Sequence, residues 1–217
     1  MTERDFTPAL GRPELSGFYD AAIALLTREG RWRRALLAQI APAPGDVIVD
    51  VGCGTGTLAI MLARDGPSVR VIGVDPDPDI LDRARIKASR AGVAVQFERG
   101  FASEVARYRD AGATKITSSL VFHQVPLTEK AAGLAACFAA LPPGGELHVA
   151  DYGLQRTPLM RALFRQVQRL DGFENTGPNA RGVLPSLMAE AGFHHVAETS
   201  VLPTPTGSIS LYRGLRP

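Results

Sequence analysis

A glycine-rich turn with an acid at its start is the part of this sequence best suited to chemistry. Residues 50–56 read Asp-Val-Gly-Cys-Gly-Thr-Gly, between the β-branched run Val47–Val51 and a helical pattern over residues 57–64. Glycines let a backbone turn tightly and approach a ligand where any Cβ atom would collide. A turn of this kind between a strand and a helix predicts a cofactor-binding loop.

Two classes of cofactor fit this loop to different degrees. Residues 54–59 satisfy the dinucleotide pattern GxGxx[GA], which is a weak signal by itself. That frame begins late in the turn, however, and Asp50 stands just ahead of the glycines. A carboxylate at this point would repel a pyrophosphate and attract the ammonium group of a methionine moiety. Asp50 therefore favours a methionine-containing nucleoside over a dinucleotide.

A second acid, Asp75, ends the next strand-like run and stands 19 residues after Gly56. An acid at about this distance from a glycine loop accepts hydrogen bonds from ribose hydroxyl groups. The alternative is that Asp75 caps the following helix, for which Asp77 and Asp79 are better placed. We therefore expect Asp75 to bind ribose. Both classes of cofactor contain a ribose, so Asp75 does not choose between them.

The elements that must position these residues alternate between strand and helix from about residue 46 onward. The predicted strands cover residues 47–51, 69–74, 93–97, 116–122, 146–150, 196–202 and 208–212. The predicted helices cover residues 15–26, 32–40, 57–64, 80–91, 131–141, 159–170 and 184–191, with polar loop residues at 171–175 and 179–181. This alternation is typical of an α/β fold with a parallel sheet covered on both faces.

The length of 217 residues suits one substantial α/β domain. We expect a single domain over residues 1–217. Within it, residues 1–45 form a helical cap on the sheet and residues 46–151 the cofactor-binding half. Residues 152–217 supply the helices on the acceptor side and a final hairpin.

The composition is that of an ordinary globular protein, with 45% hydrophobic and 21% charged residues and a net charge of +2. It predicts no nucleic-acid partner, and no apolar run approaches the length of a membrane span. The N-terminal residues are polar and Cys53 and Cys137 form no CxxC unit, so a reducing cytoplasm is the expected compartment. The histidines lack metal-ligand spacing, so no metal is expected.

Four segments occur together in the order of one known family. They are residues 49–56, Gly-Val-Asp at 73–75, Ser-Ser-Leu-Val-Phe-His-Gln at 118–124 and Leu-Pro-Pro-Gly-Gly at 141–145. From about Phe18 to the C-terminus, the chain resembles the class I S-adenosylmethionine-dependent methyltransferases. Within that class it is most similar to the branch that contains ubiquinone and menaquinone biosynthesis methyltransferases. That branch shares the Tyr19-Asp20 pair and a histidine near the fourth strand, here His123.

The resemblance implies a Rossmann-like sheet of seven strands, mostly parallel with the last one antiparallel, and helices on both faces. It implies S-adenosylmethionine as the cofactor, with Asp50 and residues 52–56 at its methionine part and Asp75 at its ribose. The cofactor-binding residues expected from it are Asp50, Gly52, Cys53, Gly54, Gly56, Asp75, Pro76, Gly100, Phe101, Ser119, Leu120 and Tyr19.

The adenine contact departs from the family pattern. Many relatives carry an Asp after the third strand that hydrogen-bonds the adenine amino group, and Phe101 stands at that position here. Two replacements are open: Phe101 stacks on the adenine ring, or Ser103 supplies the polar contact.

Methyl transfer is an in-line displacement at an activated carbon, so the protein mainly aligns the reactants and excludes water. A general base is needed only when the acceptor must lose a proton. His123 is the candidate base because it follows the fourth strand at the ligand-binding edge. The alternative is that His123 lines the pocket or bonds the following loop. Tyr19 and Tyr152 are secondary candidates for contact with the acceptor or the sulfonium.

The predicted function is methyl transfer to a small acceptor, aromatic or quinone-like, with no assignment of oligomeric state. Two alternatives remain open. The dinucleotide frame and Asp75 fit an NAD-dependent oxidoreductase, which Asp50 opposes. The missing adenine Asp fits a protein that binds S-adenosylmethionine without catalysis, which the intact glycine loop opposes. The apolar helix over residues 159–170 covers the acceptor as a lid or packs on the sheet.

Overall fold

The computed structural model describes residues 27–66 and 68–217. Its central seven-stranded sheet has the strand order β3-β2-β1-β4-β5-β7-β6. The strands are β1 Val47–Val51, β2 Arg70–Asp75, β3 Gln96–Arg99, β4 Lys115–Ser119, β5 Glu146–Tyr152, β6 His194–Thr204 and β7 Gly207–Leu215. Strands β1 to β5 pair in parallel, and β7 runs antiparallel to both β5 and β6. The predicted Rossmann-like fold is confirmed.

The helices are α1 Glu29–Ile40, α2 Thr57–Asp65, α3 Pro78–Ala91, α4 Leu127–Ala140, α5 Pro158–Asp171, α6 Phe173–Ala180 and α7 Leu184–Glu190. A 3₁₀ segment, Ala102–Arg109, follows β3. Ile48 and Val49 are neighbours on β1 and belong to two different hydrophobic clusters, as the two-residue period of a strand requires. One cluster includes α1, α2, α3 and α5, and the other includes the 3₁₀ segment, α4 and α7. The sheet is therefore covered on both faces.

Several predicted elements differ from the structure in extent, and three of the differences have a clear local cause. Strand β4 ends at Ser119 rather than at 122, because Leu120 has a left-handed backbone (φ +56°) that no strand continues. Strand β3 begins at Gln96 rather than at 93, because the chain first leaves α3 through the left-handed cap Gly92. The polar stretch predicted as loop contains the helix α6, which begins after Gly172.

The N-terminal cap is described only in part. Helix α1 corresponds to the helix predicted at residues 32–40 and buries Trp32, Leu36 and Ile40. The helix predicted at residues 15–26, together with Tyr19 and Asp20, lies outside the described residues. Among the helices of the described ranges, none is long and apolar enough to cross a membrane.

Candidate functional site

The sheet order brings the candidate residues to one edge. The chain leaves β1 towards β2 on one side and later returns to β4 on the other, so the order reverses beside β1. Ligands of open parallel sheets bind outside the carboxyl ends of the strands at such a reversal. Asp75 and Ser119 end β2 and β4 at this edge, and the glycine loop leaves β1 between them.

The glycine loop needs its glycines for two different reasons. Gly52, Gly54 and Gly56 all have positive φ angles (+68°, +53° and +72°), a conformation that favours glycine. A Cβ atom on Gly52 would collide with Val121, and one on Gly56 would lie 2.8 Å from the Phe97 ring, so these two positions are packed. A Cβ atom on Gly54 would meet no atom of the described chain within 4 Å. Gly54 therefore borders open space.

Asp75 links the glycine loop to β2. Its Oδ2 accepts a hydrogen bond from the Gly54 amide (2.9 Å), and its Oδ1 accepts one from the Asp77 amide (3.0 Å). Burial raises the pKa of Asp75, and these two amides oppose the rise. Asp77 is the N-cap of α3, because its side chain accepts from the amides of Asp79 and Ile80. The cap role that we considered for Asp75 thus belongs to Asp77.

Asp50 is fully buried and electrostatically unbalanced. Within the described ranges, neither of its carboxylate oxygens has a hydrogen bond of normal geometry. Burial raises its pKa to about 7, opposed by the charge of Arg33 and the amide of Ala59 and assisted by the charge of Asp75. Arg33 forms its ion pair with Glu29 instead. A buried carboxylate without a partner is costly, and a cationic group would satisfy it.

The segment after β3 lies beside Asp75. The Gly100 amide donates to the Asp75 carbonyl (3.1 Å), and the Arg99 side chain donates to the Pro76 carbonyl (3.1 Å). The Phe101 amide donates to the side chain of Glu104, in the first turn of the 3₁₀ segment. Phe101 itself is half-buried. The structure therefore brings the predicted residues Pro76, Gly100 and Phe101 to the end of β2.

The residues after β4 form a strained turn against β5. The Leu120 amide donates to the Ala150 carbonyl (2.9 Å), and Leu120 is held in the left-handed region. Such strain persists only where the surrounding structure imposes it, and it concentrates at functional sites. Ser119 and Leu120 thus border the site from the side opposite β2.

His123 lies buried between two carboxylates, with 3% of its side chain exposed. Its Nδ1 lies 2.7 Å from Oδ1 of Asp151 on β5, and its Nε2 lies 3.3 Å from Oδ2 of Asp171 at the end of α5. The Tyr152 ring meets the imidazole edge-on at 4.9 Å between centroids. Asp151 also accepts from the amides of Phe122 and Tyr152, both at 2.7 Å.

These two carboxylates set the protonation of His123. Burial alone would lower its pKa, but Asp151 and Asp171 together raise it to about 9. At neutral pH the ring is therefore an imidazolium whose two N–H groups both face carboxylates. In this arrangement no ring nitrogen has a free lone pair to accept a proton. A general-base role for His123 would require that Asp171 leave and that the ring lose its proton.

Sequence reasoning missed the buried cation behind this turn, Lys130. Its Nζ donates to the carbonyl groups of Phe122, Val125 and Asn175, the last at 2.9 Å. Burial lowers its pKa to about 8, opposed by the charge of Asp151. A signal for it existed, because Lys130 lies four residues before Leu134 on the apolar face of α4.

The side chains of Tyr152, Cys53 and Cys137 are buried and contribute to packing and hydrogen bonding within the fold. The Tyr152 hydroxyl lies 2.8 Å from Thr206 Oγ1, in buried surroundings. Burial raises the pKa of Cys53 and raises that of Cys137 to about 12, so neither thiol is activated as a nucleophile. The described part of the chain contains no group of three His, Cys, Asp or Glu residues that could hold a metal ion.

Comparison with known proteins finds similarity to the family that the sequence resembles. Residues 48–145 match the model of a methyltransferase domain. The chain is 34% identical over 134 residues to a demethylmenaquinone methyltransferase of Deinococcus radiodurans. The alignment covers 62% of this chain and 54% of that protein. It is 26% identical over 203 residues to a ubiquinone/menaquinone biosynthesis C-methyltransferase of Syntrophotalea carbinolica, and that alignment covers 86% of this chain and 83% of that protein. The chain thus spans about half the length of the first of these relatives.

Solved structures of methyltransferases have a similar fold. The S-adenosylmethionine-dependent methyltransferase SibL in its apo form has a TM-score of 0.69 and 25% identity, over 95% of this chain and 60% of that one. A putative O-methyltransferase of Nostoc punctiforme has a TM-score of 0.70 at 23% identity, over 97% and 62%, and shows the fold alone. The predicted resemblance to class I S-adenosylmethionine-dependent methyltransferases is confirmed. Both relatives above are methyltransferases of the ubiquinone and menaquinone branch. These similarities support S-adenosylmethionine as the cofactor.

Proposed function

We propose that this chain transfers a methyl group from S-adenosylmethionine to a small-molecule acceptor. The observation that carries the proposal is the buried Asp50 carboxylate, which has no hydrogen bond of normal geometry in the described chain and lies in a strand that leads into the open space at Gly54. The ammonium group of a methionine moiety would supply a cation in direct contact with this carboxylate. The names of the quinone-biosynthesis relatives favour an aromatic or quinone-like acceptor.

The cofactor would lie across the carboxyl edge, within residues 46–151. Its methionine part would contact Asp50 and the turn of Gly52, Cys53, Gly54 and Gly56. Its ribose would bind Asp75, whose oxygens each accept one backbone amide and keep lone pairs for hydroxyl groups. The adenine would lie between the Pro76 turn and Gly100-Phe101, with Ser119 and Leu120 on the far side. The role expected for Tyr19 stays a prediction.

S-adenosylmethionine, when bound, supplies a methyl group on a sulfonium, which is already an activated electrophile. The contribution of the protein is therefore alignment and exclusion of water. Asp50 and Asp75 would fix the methionine part and the ribose of the cofactor against the sheet edge. The turn after β4 and the segment over residues 152–217 face the acceptor. No protein base is needed for an acceptor that arrives ionised.

The test measures binding and turnover separately. Calorimetry with S-adenosylhomocysteine and with NAD should give binding of the first and none of the second. Incubation with methyl-labelled S-adenosylmethionine and a panel of phenols and quinols should then give a labelled product. Binding of NAD would favour the oxidoreductase. Binding of S-adenosylhomocysteine with no product from any acceptor would favour a non-catalytic binding protein.

A further inference from the structure

We infer that His123 is an anion-binding residue for the acceptor, and that Asp171 occupies the acceptor's place when the site is empty. The acceptor would bind as an ionised oxygen, of the phenolate or enolate class, on Nε2 of His123. This inference rests on the proposed function and adds the substrate class to it. It is carried by an asymmetry between the two carboxylates that contact the imidazole.

The Asp151 contact is the permanent one. Asp151 is fully buried on β5 and receives the His123 side chain at 2.7 Å together with the amides of Phe122 and Tyr152. Several donors on one buried carboxylate hold it in place. The imidazole is therefore fixed in orientation, with Nδ1 on the buried Asp151 and Nε2 facing the partly exposed Asp171.

The Asp171 contact has the features of a replaceable one. Its side chain is 29% exposed, and its distance to Nε2 is the longer, 3.3 Å. Asp171 is also the last residue of α5, where a negative charge is disfavoured by the helix dipole. Gly172 follows, and no described atom lies within 4 Å of a Cβ built on it, so open space adjoins the residue after Asp171.

The charges around the site favour an anion. Lys130, a second buried cation, donates to the carbonyl groups of Phe122 and Val125 on either side of His123. Removing Asp171 from Nε2 would leave an imidazolium whose second N–H has no acceptor, which is costly in a buried place. An oxygen anion of the acceptor restores that hydrogen bond. The size and charge of a carboxylate make it a close substitute for a phenolate.

The reaction then balances without proton transfer. In O-methylation a lone pair of the bound oxygen forms the new bond to the methyl carbon. In C-methylation the π electrons of the enolate form that bond at carbon while the bound oxygen becomes the ketone oxygen. In both cases the electrons of the broken carbon–sulfur bond stay on sulfur. The products are a neutral methyl ether, or a C-methyl ketone from the enolate carbon, and a neutral thioether. Neither product carries the negative charge that held the acceptor on His123, so Asp171 can return and release it.

The inference is tested with 4-nitrophenolate and its neutral methyl ether, 4-nitroanisole, in the presence of S-adenosylhomocysteine. Binding is followed by absorbance at the lowest pH at which the phenol is largely ionised, so that His123 stays protonated even where Asp171→Asn lowers the pKa of the ring. Asp171→Asn should bind the phenolate roughly tenfold more tightly, because a competing charge is lost. His123→Gln should weaken phenolate binding by a similar factor. Glu174→Gln removes an exposed charge three residues from Asp171 and should leave binding unchanged.

The outcomes are distinguishable from failure of the proposed function. Binding of S-adenosylhomocysteine reports on the cofactor site by itself in every variant. If it stays normal while Asp171→Asn and Glu174→Gln bind phenolate alike, the inference is overturned and the methyltransferase assignment stands. Equal affinity for 4-nitroanisole and 4-nitrophenolate in the parent protein would also overturn it. If His123→Gln does not fold, the contrast between Asp171→Asn and Glu174→Gln still decides.

Discussion

At the scale of single residues, the site is built from charges that differ in how they are satisfied. Asp75 has two backbone amides, Asp151 has amides and an imidazolium, and Asp50 has no hydrogen bond of normal geometry in the described chain. A satisfied carboxylate fixes structure, whereas an unsatisfied one costs stability until a cation arrives. This difference separates residues that hold the site together from residues that bind.

His123 gives a prediction with a definite sign. Its pKa of about 9 in the folded protein exceeds the value of about 6.5 expected in the unfolded chain. The stabilisation from its ion pairs is therefore complete below about pH 6.5 and is lost as the pH rises to about 9. Chemical denaturation of the parent and of His123→Gln across this window should show a stability difference, about 1.5–3 kcal/mol at low pH, that shrinks towards high pH.

Lys130 makes the comparison with the variant necessary. Its folded pKa of about 8 lies below the unfolded value of about 10.4, so its own contribution to stability rises with pH through that interval. Between about pH 8 and 9 the two groups act in opposite directions, so the parent protein alone would show a flattened profile in that interval. A difference between parent and His123→Gln that stays constant with pH would mean that His123 is neutral in the folded protein.

At the scale of elements, the turn between β4 and α4 is held from three directions. Asp151 on β5 accepts the amide of Phe122, and Lys130 on α4 donates to the carbonyl groups on both sides of His123. The Asn175 side chain on α6 donates to the Gln124 carbonyl (2.9 Å), and Lys130 in turn reaches the Asn175 carbonyl. The α5–α6 segment is thereby attached to the sheet edge.

Replacement of Lys130 by methionine should therefore be strongly destabilising. The variant keeps the apolar stem and leaves three carbonyl groups without their donor, each of which costs about 1–3 kcal/mol. We expect the free energy of unfolding to fall by roughly 3 kcal/mol or more in urea denaturation. Lys87→Met, on the exposed face of α3, should change it by less than about 0.5 kcal/mol. Equal effects of the two variants would contradict the role of Lys130 in stabilising the turn after β4.

The same segments show where sequence patterns stop being informative. Strands β1 and β2 were predictable because short runs rich in valine and isoleucine lead directly into the glycine loop and into Asp75. The helix α6 was not, because its asparagines, glycine and proline are turn formers by local preference. Its polar side chains are used in tertiary contacts instead: Asn179 donates to the Tyr152 carbonyl (3.1 Å) and Asn175 to the turn after β4.

At the scale of the whole molecule, the strand order explains which site residues could be predicted. Asp50, the glycines and Asp75 lie within one strand–helix–strand unit, so their spacing in sequence reflects their spacing in the fold. Asp151 and Asp171 reach His123 from elements far along the chain. No local spacing indicates such a contact, and only the pairing of β4 with β5 brings Asp151 beside the turn.

The central claim is that an adenosyl cofactor binds at the sheet edge through the acid that ends β2. The most direct measurement is the affinity for S-adenosylhomocysteine, by calorimetry, of the parent protein, Asp75→Ala and Asp77→Ala. Asp75→Ala should weaken binding by about 1.5–3 kcal/mol or more, the value of a hydrogen bond to a charged group. Asp77→Ala removes only the cap of α3, so it should cost about 1 kcal/mol of stability and leave affinity unchanged. Unchanged affinity in a folded Asp75→Ala, or equal losses in both variants, would contradict the account.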